Sequence, residues 1–124
     1  MKVTLPYPPS ANRYLRHTAR GTYRTAEANH YKEYAKWAAL ASGARILDGD
    51  VALTVVLHPK LTEKGKASKT VIDLDNSLKV AIDALQGVAF SNDRQVKKIA
   101  LSYGPPIAGG GLSVTVDSLE LDQS

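Results

Sequence analysis

The pattern of apolar and polar positions marks four short stretches of the chain, and each predicts a β-strand. Lys2–Tyr7 alternates until a group of prolines ends it. Val51–Leu57 is almost continuously apolar and β-branched, which is typical of a buried strand. Val96–Tyr103 and Leu112–Asp117 alternate again near the end of the chain. These stretches predict a sheet of about four strands.

A first helix is predicted from Thr25, a suitable N-cap residue, to about Ser42, with Gly43 at the C′ position. Residues at helical spacing form one face that we expect to lie in the core, and Trp37 is expected to pack as well. The residues of that face are Tyr31, Tyr34, Ala35, Ala38 and Ala39.

A second helix is predicted to begin near Asp75 or Asn76, to run to Gln86 and to stop at Gly87. Its expected apolar stripe consists of Leu78, Ala81, Ile82 and Leu85.

The predicted order of elements is β–α–β–α–β–β, which indicates an α+β domain with a mixed or antiparallel sheet. No repeat or linker interrupts the chain, so residues 1–124 are expected to form a single domain. Ser10–Arg24 is polar and basic and is expected to be a loop. Lys60–Thr70 contains four lysines and is expected to be a mobile surface loop.

Charge and composition narrow the function classes. The net charge is +4, from 16 basic and 12 acidic residues, which favours a polyanionic partner without deciding it. Cysteine is absent, which excludes thiolate metal sites and thiol catalysis and fits a cytoplasmic location. We expect neither a membrane span nor a signal peptide, since no long apolar run is present.

An acidic cluster precedes the second helix. Asp73 and Asp75 point the same way in an extended segment, and Lys79 follows Asp75 by one helical turn. These groups can converge at a helix N-terminus, where backbone N–H groups favour anions. Asp93 follows the helix, and a chain reversal at Gly87 is one way for it to return towards the helix start.

Three carboxylates without thiol ligands form an all-oxygen site that suits Mg²⁺ or Mn²⁺. Phosphodiester cleavage needs such a site, and Lys79 can stabilise negative charge in the transition state. Two simpler roles remain open at this point: Asp75 as a helix cap, and Asp75 with Lys79 as a surface ion pair. Asp-x-Asp is also a metal motif of glycosyltransferases, but 124 residues leave little room for a nucleotide-sugar domain.

Several motifs, which follow one another in a specific order along the chain, make it similar to the RusA-type family of Holliday junction resolvases. The first runs from Leu5 to Tyr14 and is followed by Arg16-His17. The second comprises Asp73-Leu74-Asp75-Asn76-Ser77-Leu78-Lys79 and then Asp83-Ala84-Leu85. The third is Asn92-Asp93-Arg94-Gln95-Val96.

This resemblance implies a homodimeric crossover junction endodeoxyribonuclease that binds four-way DNA junctions and nicks two opposed strands with Mg²⁺. It implies metal-site roles for Asp73, Asp75 and Asp93 and a catalytic role for Lys79. Many family members carry two adjacent acids at the last position, whereas Asn92 precedes Asp93 here. For the dimer interface, the two candidates are Val51–Leu57 and the edge of the last strand.

Five basic residues are candidate DNA contacts, since arginine and lysine bind phosphates. They are Arg13, Arg16, Lys69, Lys97 and Lys98.

Two alternatives to a DNA recombination and repair nuclease remain open. One is a junction-binding protein without catalysis, and the other is a small-molecule phosphohydrolase. Gly109-Gly110-Gly111 is expected to be a flexible turn and not a phosphate-binding loop.

Overall fold

The computed structural model places two helices against one sheet. The residues that it describes are 1–9, 15–18, 21–24, 26–69 and 71–119, with the backbone alone for 15–18 and 21–24. The elements are β1 (Lys2–Leu5), β2 (Leu15–Thr18), β3 (Gly21–Arg24), α1 (Ala26–Ala41), β4 (Val51–His58), α2 (Leu74–Leu85), a 3₁₀ turn (Asp93–Gln95), β5 (Val96–Tyr103) and β6 (Gly111–Ser118). The predicted α+β class is confirmed. None of the described helices is long and apolar enough to cross a membrane.

The main sheet has the strand order β1-β6-β4-β5 and is mixed, as predicted. β4 pairs antiparallel with β6 and parallel with β5, and α2 is the crossover between the two parallel strands. β4 and β6 therefore both lie inside the sheet. Neither candidate interface strand has a free backbone edge, so β1 and β5 are the edges that the described sheet leaves open.

One core lies on the side of the sheet that faces the helices. Along β4, buried residues alternate with more exposed ones, so only one face of this strand is fully covered. Alanines bring both helices close to the sheet. The buried ones are Ala28, Ala35 and Ala39 on α1 and Ala81 and Ala84 on α2.

The predicted core face of α1 is wrong in part. Tyr31, Ala35 and Ala39 are buried, but Tyr34 is 64% exposed and Trp37 is 66% exposed. The buried stripe follows the narrow alanine face of the helix, and Tyr34 lies about 100° away from Ala35 around the axis. Sequence periodicity overestimated the width of the covered face.

Both helices end as predicted, at glycines with positive φ. Gly43 has a φ of 87° and donates its N–H to the Leu40 carbonyl, while Ala44 donates to Ala39, which is the Schellman arrangement. Gly87 has the same φ of 87° after α2. The predicted cap at Thr25 lies outside the described residues. α2 begins slightly earlier than predicted, with Asp73 at its N-cap position.

Two segments predicted to be loops contain regular pairing. Within the first, β2 and β3 form an antiparallel hairpin. Within the second, Leu61 bridges Ala67 and the N–H of Thr62 donates to the Lys66 carbonyl at 2.7 Å. The lysine-rich segment is therefore a hydrogen-bonded turn in its described part. Backbone pairing of this kind has no apolar signature, so the sequence pattern did not indicate it.

Candidate active site

Three tyrosine hydroxyls fix the backbone around the start of α2: two contact Ile72, directly before the helix, and one holds Pro6, next to Tyr7. The N–H of Ile72 donates to the Tyr7 hydroxyl at 3.0 Å, and the Tyr31 hydroxyl donates to the Pro6 carbonyl at 2.7 Å. The Tyr103 hydroxyl lies 3.4 Å from the Ile72 carbonyl. Because Tyr103 is the last residue of β5, these contacts hold Asp73 at the carboxyl ends of the two parallel strands.

Asp73 and Asp75 carry exposed carboxylates at the start of α2. Asp73 has the extended backbone of an N-cap residue, yet its side chain makes no cap hydrogen bond. Among the interactions of the described residues, none joins Asp75 to Lys79, which is also exposed. Neither simple role, cap or surface ion pair, accounts for these two acids.

A cleft of about 840 Å³ lies beside Asp73. Its walls come from five parts of the chain: the segment after β1, the first half of α1, the lysine-rich turn, the start of α2 and the glycine-rich turn before β6. The lining residues are Pro6, Tyr7, Pro8, Pro9, Glu27, Tyr31, Lys60, Ser68, Val71, Ile72, Asp73, Asn76 and Gly109. The ammonium of Lys60 lies 5.0 Å from the centre of the Tyr7 ring. The cleft therefore combines both signs of charge with an aromatic wall.

The glycine-rich turn closes one side of this cleft by close packing. Gly110 has a φ of 70°, and a Cβ there would lie 2.6 Å from the Tyr7 ring and 3.1 Å from the His58 carbonyl oxygen. A side chain at this position would displace Tyr7, which holds Ile72. The turn is thus required for its shape, and it is not the flexible connection that its three glycines predicted.

The amino end of α2 presents hydrogen-bond donors to the same region. The first N–H groups of a helix lack partners within the helix, and its dipole favours an anion there. Asn76 adds an amide that lines the cleft. Below it, Ser77 is fully buried and donates its hydroxyl to the Leu74 carbonyl at 2.7 Å, which secures the first turn. A phosphate group and a divalent cation are the ligands that such a set of groups suits.

Asp93 lies at the other end of α2. It opens the 3₁₀ turn before β5, and that turn is held by Gln95, whose amide donates to the carbonyls of Leu47 and Gly49 at 2.9 and 2.7 Å. Val96 then pairs with Val51, at the amino end of β4. The 12 residues of α2 span about 18 Å at 1.5 Å per residue. The reversal at Gly87 therefore does not return Asp93 to the helix start.

Asn92 has a structural role, which explains why an asparagine can stand before Asp93 in place of a second acid. Its side-chain oxygen accepts the Arg94 N–H at 2.9 Å, and the Gln95 side chain accepts the Asn92 N–H at 3.0 Å, which completes a capping box. Asn and Asp are nearly equivalent at such a position.

Within the described part of the chain, no three histidine or acidic side chains gather closely enough to hold a metal ion.

The candidate DNA contacts occupy different parts of the molecule. Lys69 is exposed near the cleft, in the turn that also supplies Ser68. Lys97 and Lys98 are exposed at the amino end of β5, on the Asp93 side. Arg16 lies on β2, opposite Tyr23, and Arg13 lies outside the described residues.

Sequence reasoning missed two residues that line the cleft. Tyr7 belongs to a motif used for the family resemblance, but its hydrogen bond to Ile72 had no sequence signal because the two residues are 65 positions apart. Glu27 lies in the first turn of α1 and also lines the cleft. A carboxylate in the first turn of a helix is already explained by its favourable interaction with the helix dipole, so the sequence pattern gives no sign of a second role.

Comparison with known proteins gives one consistent result. Residues 6–117 match the protein family described as "Endodeoxyribonuclease RusA". A protein of Enterobacteria phage 82 named crossover junction endodeoxyribonuclease rusA is 32% identical, over 94% of this chain and 93% of its own length. The crossover junction endodeoxyribonuclease RusA of Escherichia coli strain K12 is 33% identical over the same shares.

Proposed function

We propose, from the premise that this chain belongs to the RusA family of endodeoxyribonucleases, that it resolves four-way (Holliday) DNA junctions by paired symmetric nicks. The observation that carries this proposal is the pair of exposed carboxylates, Asp73 and Asp75, beside the cleft at the amino end of α2. Neither acid has a structural partner among the described residues, so stability does not explain them. The proposed setting is the cytoplasm, in DNA recombination and repair.

The donor atoms at this end of α2 fit a hard cation. Asp73, Asp75 and the Asn76 amide offer oxygen ligands only, which is the donor set that Mg²⁺ prefers and that Mn²⁺ accepts. Asp93 is the third proposed ligand. When bound, such an ion lowers the pKa of a water molecule and neutralises charge on a phosphate.

The remaining groups have roles in binding and charge stabilisation. The free N–H groups of α2 orient a phosphate, and Lys79 lies one turn further along to stabilise the added negative charge of the transition state. The oxygen of a water molecule attacks phosphorus in line with the departing 3′ oxygen. The P–O3′ bond breaks, the water loses a proton and the 3′ oxygen gains one, which leaves a 5′-phosphate and a 3′-hydroxyl.

The basic residues are proposed to hold the arms of the branched DNA. Lys69 is near the cleft, and Lys97 and Lys98 extend positive charge along the start of β5. Arg13 and Arg16 are proposed contacts on the segment that includes the β2–β3 hairpin. An extended basic surface supports a DNA substrate better than a small phosphate ester, which needs no such area.

The decisive experiment compares a synthetic four-way junction with linear duplex of the same sequence, in Mg²⁺ and in Mn²⁺. We expect paired nicks near the branch from the wild-type chain, and no nicks from Asp75→Asn. Asp48→Asn is the matched control, since Asp48 is an exposed acid away from the cleft, and it should cleave like the wild type. Junction binding without cleavage in either metal would favour the non-catalytic alternative. Turnover of small phosphate esters without DNA affinity would favour a phosphohydrolase.

A further inference from the structure

The cleft beside Asp73 contains a carboxylate that the proposed cleavage reaction does not use. Glu27 lies in the first turn of α1, lines the cleft and has an exposed side chain. Within the described part of the chain, no ion pair and no hydrogen bond engages this carboxylate. The helix dipole favours an acid in the first turn, but that interaction does not require a position inside a cleft.

The carboxylate makes its part of the cleft unfavourable for a phosphate group. A phosphate is an anion that offers only hydrogen-bond acceptors, and an ionised carboxylate also offers only acceptors, so the two repel each other. The ammonium of Lys60, the one cation among the described residues that line the cleft, lies over the Tyr7 ring. Within a DNA strand, the hydrogen-bond donors are the N–H groups of the bases. The part of DNA that suits Glu27 is therefore the edge of a base.

Other walls of the cleft suit the flat face of a base. The Tyr7 hydroxyl accepts the Ile72 N–H and the Tyr31 hydroxyl donates to a backbone carbonyl, so both rings are held in place. Rigid aromatic and apolar surfaces are those on which unpaired bases stack. The volume of about 840 Å³ lies within the range of roughly 300–1,000 Å³ that is usual for small-ligand pockets. The apolar lining adds three prolines, Pro6, Pro8 and Pro9.

The starts of the two helices divide the cleft between them. The start of α2 supplies Asp73, Asn76 and free N–H groups, which suit a metal ion and a phosphate. The start of α1 supplies Glu27, which suits a base. The ion pair of Lys32 and Asp83, at 3.5 Å, joins the two helices, and the axes of packed helices are about 8–10 Å apart. One nucleotide covers such a distance from its phosphate to the far edge of its base.

We infer that the cleft receives one unstacked nucleobase beside the phosphate that is cut, and that Glu27 selects a base with an exocyclic amino group. This inference rests on the proposed function, because it assigns base selection to the same site. Adenine, cytosine and guanine carry such an amino group. In thymine the one ring N–H lies between two carbonyl oxygens, which repel a carboxylate. A base leaves its stack most easily where pairing is already disturbed, as at a branch point.

Removal of single amino groups from the DNA tests this contact. A set of junctions carries each base in turn at every position next to the branch, and nicking rates in Mg²⁺ identify the position at which thymine is disfavoured. There the preferred base is replaced by its analogue without the amino group, which is purine for adenine, hypoxanthine for guanine and pyrimidinone for cytosine. We expect the wild-type chain to nick the analogue about 10- to 100-fold more slowly, the usual effect of a lost hydrogen bond to a charged group.

The variant Glu27→Ala shows whether the carboxylate reads the amino group. It should nick the preferred base and its analogue at the same rate, because the acceptor is gone. Glu33→Ala is the matched control, since Glu33 is an exposed acid of the same helix outside this cleft, and it should keep the wild-type ratio. A purely structural role of Glu27 would lower both rates together and leave their ratio unchanged.

Three results would overturn the inference. The first is a wild-type chain that nicks all four bases equally at every position next to the branch. The second is a Glu27→Ala variant that keeps the wild-type ratio. The third is a Glu27→Ala variant that nicks no junction at all, which would make Glu27 a further metal-site carboxylate beside Asp73 and Asp75.

Binding separates this inference from the proposed function. In the Asp75→Asn background, which should bind without nicking, gel shifts measure affinity for the same set of junctions. The preferred base should bind about 10-fold more tightly than its analogue, and Glu27→Ala in this background should remove the difference. Equal affinities before that substitution overturn the inference. A wild-type chain that nicks no junction, but shows this difference in affinity, overturns the proposed function and leaves base selection supported.

Discussion

The two ends of α2 differ in how fully their polar groups are used. At the carboxyl end, Phe90 is fully buried, and the Gln95 amide satisfies two backbone carbonyls. At the amino end, Asp73 and Asp75 are exposed, and the Asp73 carboxylate leaves its helix uncapped. The polar groups at the carboxyl end of α2 therefore stabilise the fold, whereas those at its amino end remain available to bind a ligand. Asp93 is an exposed acid at the stable end, where it has no evident structural use.

The largest effect is expected from Phe90→Ala at the carboxyl end. Loss of this fully buried ring should reduce the free energy of unfolding by about 3–5 kcal/mol, because it leaves a cavity in the core. Chemical denaturation measures this change. Trp37→Ala is the control, since Trp37 is 66% exposed and should cost far less. Equal losses for the two variants would contradict the assignment of the core.

The next effect is expected from Asp73→Asn at the amino end. Nicking of junctions should fall by about 100-fold or more, because we propose Asp73 as a metal-site carboxylate and such a group contributes several kcal/mol to the transition state. Thermal unfolding should remain within a few degrees of the wild type, since the side chain makes no hydrogen bond. A large loss of stability would show that Asp73 has a structural role and would remove the contrast between the two ends.

A smaller effect on stability is expected from Gln95→Ala. The substitution leaves the Leu47 and Gly49 carbonyls without their donor and opens the capping box, at a cost of about 1–3 kcal/mol. Gln86→Ala is the matched control, because Gln86 is exposed at the end of α2. Denaturation midpoints of the two variants give the comparison. Identical midpoints would mean that the 3₁₀ turn does not depend on Gln95.

The smallest effect is expected from Tyr7→Phe, which tests whether the amino end is also positioned. It removes the acceptor of the Ile72 N–H and should cost about 1 kcal/mol of stability. We expect nicking to slow by roughly 3- to 10-fold, since Asp73 follows the released residue. Tyr34→Phe, on the exposed face of α1, should change neither quantity. An unchanged nicking rate for Tyr7→Phe would show that the Tyr7 hydroxyl does not position the candidate active site.

Local patterns in the sequence predicted the secondary-structure elements better than they predicted which residues of those elements are buried and where the elements lie. The alternation along β1, β5 and β6, the apolar run of β4 and the glycines after both helices depend on neighbouring residues, and those predictions are confirmed. The exposure of Trp37 and the position of Asp93 depend on how far the helix layer reaches and on which strands pair in parallel. Residue spacing contains neither kind of information, because the same spacing fits several arrangements of elements.

The acidic motif shows the same division. Asp73, Asp75 and Lys79 are neighbours through local geometry, so the sequence was sufficient to group them. Asp93 was grouped with them through a chain reversal at Gly87 and through family resemblance, but it lies a helix length away. The hairpin of β2 and β3 was missed because its strands carry few apolar residues. Sequence reasoning is therefore weakest where function depends on contacts between distant segments.

The pairing of β1 with β6 has a consequence for protein synthesis. β1 has no partner in the described sheet until β6 has left the ribosome, since Lys2 pairs with Thr115. The chain is synthesised at about 5–20 residues per second, and we expect Tyr7, two residues beyond β1, to take its place in the cleft wall only once β6 has been made. A nascent chain that already contains the acidic motif still lacks this wall. Completion of the cleft is thereby coupled to the synthesis of β6.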